Sequence, residues 1–278
     1  MFNFIANMFG YLLNFIYNFV NNYGLAIIIF TILIKIVLIP ISIKQQKTMK
    51  KSAKLQVELR AIQDKYKNDQ ERANKEMMSL YKKNNMSPFS GCLSSIIQII
   101  LLLSVFYLVR SPLTYMKKVD LELIDKYKDE LSVKSNYPEV QVIKEKGEDD
   151  ERVYINMNFL GLDLSSVPSS NYKDYKVFII PVLYVISSII SMKLTLNMQG
   201  NNKKKDDSDE ENENKGTEAM PDMTKSMSYM MPIMAVSISL VAPLGLALYW
   251  LVNNILMIGE RVLADKFLKD ENEEEKIA

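Results

Sequence analysis

Leu25-Ala-Ile-Ile-Ile-Phe-Thr-Ile-Leu-Ile-Lys35-Ile-Val-Leu-Ile-Pro40-Ile-Ser-Ile43 is an apolar run of nineteen residues with one charge near its middle. As a helix it is long enough to cross the ~30 Å hydrocarbon core of a bilayer. Placing Lys35 there costs roughly 2.5 to 3.5 kcal/mol on insertion scales, so such a residue marks a functional site. The other long apolar runs, at 93–109, 177–192 and 229–259, contain no Asp or Glu. Water is therefore the expected partner of Lys35, and a hydrated cavity reaching into the membrane follows from it. The last run is long enough for two helices split around Pro243. The expected fold is all-α, a polytopic membrane protein with five transmembrane helices.

The chain has 278 residues, 48% hydrophobic and 24% charged, and its near-zero mean hydropathy of −0.03 averages apolar spans with charged connections. Zero His and a single Cys leave little material for metal sites, imidazole chemistry or disulfides. Cys92, beside Gly91 at the start of the second span, reads as a small packing residue. No cofactor, metal site, nucleic-acid site or covalent catalysis is expected.

No charged side chain precedes Lys35, whereas Lys44, Lys47, Lys50, Lys51 and Lys54 follow the first span closely. The positive-inside rule makes that side cytoplasmic. Residues 44–90 hold twelve Lys+Arg against five Asp+Glu, and residues 117–174 nine against thirteen. The N-terminus is then expected outside and the C-terminus inside. The first twenty residues lack the charged n-region and cleavage pattern of a signal peptide. Asn3, Asn7, Asn14, Asn18 and Asn21 form a stripe between apolar positions, as in an uncharged amphipathic helix at the interface. An additional span or a retained export signal is the alternative.

The expected organisation is an interfacial helix over 1–22, a first span over 23–43 and a cytoplasmic helical hairpin over 44–88. A second span over 89–116 leads to an extracytoplasmic segment over 117–174, whose stretch Phe159-Leu-Gly-Leu-Asp-Leu164 dips into the interface. A third span covers 175–198, a disordered linker 199–225, a fourth span 226–242, a fifth 243–262, and an acidic tail 263–278. In the hairpin, Leu55, Leu59, Ile62 and Tyr66, then Ala73, Met77, Leu80 and Tyr81, recur at helical spacing around an Asn68-Asp69 turn signal. A solvated spacer is the plainer reading, against which its patterning and basic charge argue.

On the first span Thr31, Lys35 and Ser42 share a face. Ser94 and Gln98 lie one turn apart on the second span, Tyr184, Ser187, Ser188 and Ser191 form a stripe on the third, and Ser237 and Ser239 sit on the fourth. Tyr249, Trp250, Asn253 and Asn254 lie on the fifth. Each of these groups has a quieter reading as helix packing or interfacial anchoring. Together they supply hydrogen-bonding groups at several depths. Met220, Met223, Met227, Met230, Met231 and Met234 read either as ordinary packing or as an adaptable apolar surface.

Several of these stretches resemble the YidC membrane protein insertases, the family that includes the mitochondrial Oxa-type and chloroplast Albino-type proteins. They are Phe30 to Lys51, the hairpin segment Ile62 to Asp69 with Met77 to Tyr81, and Pro88-Phe-Ser-Gly-Cys-Leu93 with Gln98. Met230-Met-Pro-Ile-Met234 leading to Pro243-Leu-Gly-Leu-Ala-Leu-Tyr-Trp250 completes the set. The order and spacing cover most of residues 20–262.

The resemblance implies a Gram-positive-like insertase core of five helices in the cell membrane, with a groove open to cytoplasm and lipid. Within it Lys35 would attract acidic residues of a nascent membrane protein. Thr31, Ser94, Gln98, Tyr184, Ser188, Trp250 and Asn253 are the expected groove residues. Lys47, Lys50, Lys51, Lys54, Arg60 and Met77 are expected to recruit substrate. Implied partners are nascent membrane proteins, the bilayer, the Sec translocon and the translating ribosome. Lys35 departs from the Arg usual in the family, exchanging a fixed fork for a point charge. The acidic tail gives no support to ribosome binding through a basic extension. A small-anion transporter or channel, or an assembly chaperone without insertion activity, are the rival classes; no internal repeat favours transport.

Overall fold

The computed structural model describes residues 2–86, 90–133, 135–200 and 237–277. The described chain is mostly helical. It divides into two units, one drawn from Met1–Leu38, Gln98–Ile189 and Pro232–Met257, the other from Ile39–Ile97, Ile190–Met231 and Ile258–Ala278.

Helix α1 (Phe2–Val20) buries Ala6, Phe9, Gly10, Leu13, Ile16 and Tyr17, positions that recur every three to four residues. Phe9 meets Phe30 edge-on, with ring centroids 5.5 Å apart. Asn21 ends the helix in the left-handed region at φ 49°, which Asn tolerates better than most residues. The Asn22 carboxamide oxygen then accepts from the Leu25 N–H at 3.0 Å and caps helix α2.

Helix α2 (Tyr23–Lys65) is continuous for 43 residues. It runs unbroken through 43–44, where the sequence suggests a boundary between span and hairpin. Pro40 lies inside it, a substitution for which a membrane helix has more tolerance than a soluble one. In the second unit, α2 turns at residues 66–68 into helix α3 (Gln70–Lys83). Asp69 caps α3 by accepting from the Arg72 N–H at 3.0 Å. Gln63 Nε2 donates to Met77 Sδ at 3.6 Å, and Leu55 and Ala73 are buried, so the two arms lie side by side. Helix α4 (Ser90–Arg110) follows, its apolar part described over Ile99–Arg110.

A π-helical turn, Leu113–Lys117, packs directly on α1. Gly10 makes this approach possible, because a Cβ there would overlap the Tyr115 carbonyl. Tyr115 Oη donates to Asn3 Oδ1 at 3.2 Å, and the Lys118 ammonium donates to Asn7 and lies 4.5 Å from the centre of the Tyr11 ring. Helices α5 (Leu121–Glu130) and α6 (Pro138–Lys146) pack together behind the turn. Glu139 is 4% exposed although it is a carboxylate. It accepts from the Thr114 N–H at 2.9 Å and from Thr114 Oγ1 at 2.6 Å, which ties α6 to the turn. Glu139→Ala should strand two buried donors, and charge-assisted bonds of this kind contribute about 1.5–3 kcal/mol. A fall in the thermal unfolding midpoint in detergent is the expected result, and Glu139→Gln should lose less.

Asp150 folds the next turn. It accepts both prongs of the Arg152 guanidinium at 2.7–3.1 Å, the Arg152 N–H at 2.9 Å, and the Tyr127 hydroxyl at 2.7 Å. The Arg152 side chain, then Tyr127 and the Arg152 N–H, hold its carboxyl far below the usual carboxylate range. A depressed folded-state pKa stabilises above the unfolded value and is lost as pH falls through the folded one. The stability gap between wild type and Asp150→Asn should therefore be full at neutral pH and shrink below about pH 4. Unfolding midpoints across an acid titration check this.

Two short strands interrupt the helical pattern. β1 (Asn158–Phe159) and β2 (Leu162–Asp163) pair antiparallel, with Asn158 opposite Asp163 and Phe159 opposite Leu162. The segment around them spans the starts of two long helices. Asn156 accepts from the Tyr23 N–H at 3.0 Å. Asn22 Nδ2 donates to the Asn158 carbonyl at 2.7 Å. After helical residues 237–241, the chain bends at Ala242–Pro243 into helix α8 (Leu244–Ile277). The first amides of α8 have no partner within their helix. The Leu244 N–H instead donates to Ser166 O and the Gly245 N–H to Leu164 O, both at 2.9 Å. Helix α7 (Ile179–Gly200) begins after the short 3₁₀ turn Tyr175–Phe178.

Among the described residues, three stretches are long and apolar enough to cross a membrane: Tyr23–Thr48, Tyr175–Leu194 and Leu244–Leu263. The expected linker over 201–225, the fourth span from 226 to 236 and the methionines from Met220 to Met234 lie outside the described residues.

Candidate intramembrane site

Lys35 is half-buried, one turn after Thr31 on the same face of α2. Its aliphatic neighbours Ile32, Ile36 and Val37 are exposed, Val37 by 72%. Lys35 makes a polar or charge interaction within the fold. Thr31 is buried, and its hydroxyl donates to Ile27 O at 2.6 Å, back onto its own helix.

The second polar group lies between α7 and α8. Along α7 the aliphatic face is exposed at Val182, Leu183, Ile186, Ile189 and Ile190, while Tyr184, Ser187 and Ser188 are buried. The Tyr184 and Trp250 rings sit 6.1 Å apart. One turn beyond Trp250, Asn254 Nδ2 donates to Ser187 Oγ and Ser188 Oγ, both at 3.1 Å. Ser187 Oγ donates in turn to Tyr184 O at 2.9 Å. The buried indole N–H of Trp250 has no hydrogen-bond partner among the described residues. Thr31, Lys35, Tyr184, Ser188, Trp250 and Asn253 all belong to the same unit.

In the second unit, Arg261 Nη1 donates to Ser191 O at 3.1 Å and to Ser191 Oγ at 3.0 Å. α7 and α8 are thus joined by side-chain hydrogen bonds at two levels, the usual glue where apolar contact gives no preference for protein over lipid. Asn254→Leu should weaken the pair by about 0.6–1.7 kcal/mol, the range measured for such bonds in membranes. Reduced resistance to detergent unfolding would register the loss.

Of the expected groove residues, Tyr184, Ser188 and Trp250 come together. Asn253 is half-buried beside them, and Asn254 makes the contact. Ser187 and Asn254 were read from the sequence as polar groups of the third and fifth spans but not placed among the expected groove residues, and Arg261 was not singled out. Their signal was present, since Trp250, Asn254, Met257 and Arg261 fall on one helical face. The side chains of Ser94, Gln98, Lys50, Lys54 and Cys92 lie outside the described residues. In the hairpin, Lys51 and Arg60 are exposed, Lys47 is half-buried, and Met77 faces Gln63.

A helical chain whose described residues include three stretches long and apolar enough to cross a membrane, two of them joined by buried polar side chains, is a multi-pass membrane protein. The family model of the 60Kd inner membrane protein matches residues 15–272, and the chain belongs to that family. Among similar curated proteins, one from Fusobacterium nucleatum, named membrane protein insertase YidC, is 29% identical over 93% of this chain and 93% of its own length. Proteins of the same name from Syntrophus aciditrophicus and Pelobacter propionicus are 30% and 29% identical over 91% and 97% of this chain. The chain spans only 35% and 40% of those two.

Proposed function

We propose that this chain is a membrane protein insertase of a bacterial cell membrane that performs no covalent chemistry. The observation carrying this reading is the match, over nearly the full length of both chains, to a relative named as an insertase. Its physical task would be to lower the cost of moving a short polar segment through lipid, where unsatisfied polar groups are expensive. Lys35, half-buried in a helix whose neighbouring side chains are aliphatic, supplies positive charge partway across. The favoured substrate is a nascent protein with one or two spans and a short, weakly acidic translocated segment. The α2–α3 arms would meet it on the cytoplasmic side through Lys47, Lys50, Lys51, Lys54 and Arg60. The groove would be lined by Thr31, Ser94, Gln98, Tyr184, Ser188, Trp250 and Asn253. The Sec translocon and the ribosome are proposed partners on family grounds.

The proposed topology has five crossings, which chain direction supports. The backbone bonds from residues 156 and 164–166 to Tyr23, Leu244 and Gly245 support α2 and α8 starting at one face. A chain that leaves that face along α2 and α7 has to return before each next departure, through α4 and through a span ending near Ala242. Insertion of a short model substrate into vesicles holding only this protein tests the function. Protease protection of the translocated segment is expected, and anion flux without insertion would replace this reading with a transporter.

A further inference from the structure

The hairpin tip is built against local preference. Leu160 and Gly161 are its two turn residues, both in the left-handed region, at φ 53° and 78°. Such turns favour Asn-Gly, whose first residue tolerates that backbone; a branched aliphatic side chain does not. Leu160 is also 87% exposed, among the most exposed large apolar residues described, and open space surrounds Gly161. Neither packing nor the turn accounts for leucine there.

Its position does. Phe159, the residue before it, packs on Gly24, where a Cβ would collide with the ring. The hairpin base is polar, with Asn158 opposite Asp163, and Asp163 accepts from Ser165 Oγ at 2.6 Å and Ser166 Oγ at 3.0 Å. The hairpin therefore lies against the start of α2 through Phe159 and Asn158, and the next residue of α2, Leu25, is 44% exposed and opens an aliphatic surface continuing through Ile32, Leu33, Ile36 and Val37. Tyr172 and Tyr175, just before and at the start of the apolar stretch Tyr175–Leu194, are 69% and 76% exposed, as in the aromatic belts of membrane proteins.

We infer that the β1–β2 hairpin is a lipid-docking tip: Leu160 enters the interfacial region of the leaflet at which α2 and α8 begin, while Asn158 and Asp163 stay in water. Apolar groups docked this way lie about 5–10 Å into the headgroup and acyl boundary. One end of α2 is then fixed to the bilayer surface as well as to the protein. The inference rests on α2 crossing the membrane.

The test uses the full chain with Cys92→Ala, reconstituted in nanodiscs of phosphatidylethanolamine and phosphatidylglycerol, with an NBD fluorophore on one introduced cysteine. The expected result at Leu160→Cys is quenching by a lipid nitroxide near the headgroup end of the acyl chain, and iodide quenching several-fold weaker than at Glu148→Cys, an exposed position. A label at Val37→Cys reports the spanning helix. Lipid quenching at 37 with iodide quenching at 160 equal to that at 148 would overturn the docking tip alone. Aqueous behaviour at both 37 and 160 would overturn the spanning reading with it.

Discussion

Lys35→Glu is expected to abolish insertion of a substrate with an acidic translocated segment, lowering its rate in vesicles containing only this protein by about tenfold or more. Two unit charges ~4 Å apart interact by about 4 kcal/mol at the effective dielectric found near protein surfaces, and tenfold needs only about 1.4 kcal/mol. Reversing the sign turns attraction into repulsion, so the loss should exceed that of Lys35→Ala. Lys35→Arg should stay close to wild type, because charge attraction asks for a positive charge rather than for a guanidinium fork. If Lys35→Glu inserted substrate as well as wild type, charge would have no part in the process. All three variants should keep the wild-type unfolding free energy to within about 1 kcal/mol if the residue serves the substrate more than the fold.

The second large effect is structural. Gly10→Val should destabilise the protein by about 3 kcal/mol, the upper range for overpacking, because the obstacle is the backbone carbonyl of Tyr115 and no side chain can swing aside. α1 would have to leave the π turn and give up the Asn3–Tyr115 and Asn7–Lys118 hydrogen bonds with it. Gly10→Ala should show the same direction with smaller size, since better helix propensity returns up to about 1 kcal/mol. Unfolding midpoints in detergent, together with proteolysis of α1, would measure both. Unchanged midpoints would show that α1 does not need this close approach.

The long helices were legible because their signals are local. Asn21-Asn22 breaks and restarts the helix through one left-handed residue and one cap. Asp69 marks the start of α3, and Pro243 cannot donate the amide bond that would carry a helix through it. The polar stripe on α7 was also visible as Tyr184, Ser187, Ser188 and Ser191. Choosing Asn253 over its neighbour was a matter of rotation, since successive residues lie about 100° apart around a helix, and only the partner helix shows that Asn254 faces Ser187 and Ser188.

What stayed hidden depends on contacts distant in the chain. Glu139 counts as one more acid in an acidic segment, and only the fold reveals that it is buried against Thr114. The β hairpin escaped notice because its turn carries Leu160 at a position where local chemistry calls for Asn. The apolar stretch 159–164 was recognised, while its shape was not. Loop 164–166 capping α8 is invisible in sequence, because the carbonyls it uses belong to the backbone.

In the proposed mechanism the positive charge at position 35 meets a negative charge on the substrate. A charge exchange tests it directly: Lys35→Glu is reconstituted alone in vesicles without a membrane potential, and given a substrate whose translocated Asp is replaced by Lys. This pair should insert, while wild type with the basic substrate and Lys35→Glu with the acidic substrate should both fail. Failure of the exchanged pair together with full insertion of the basic substrate by wild type would contradict it.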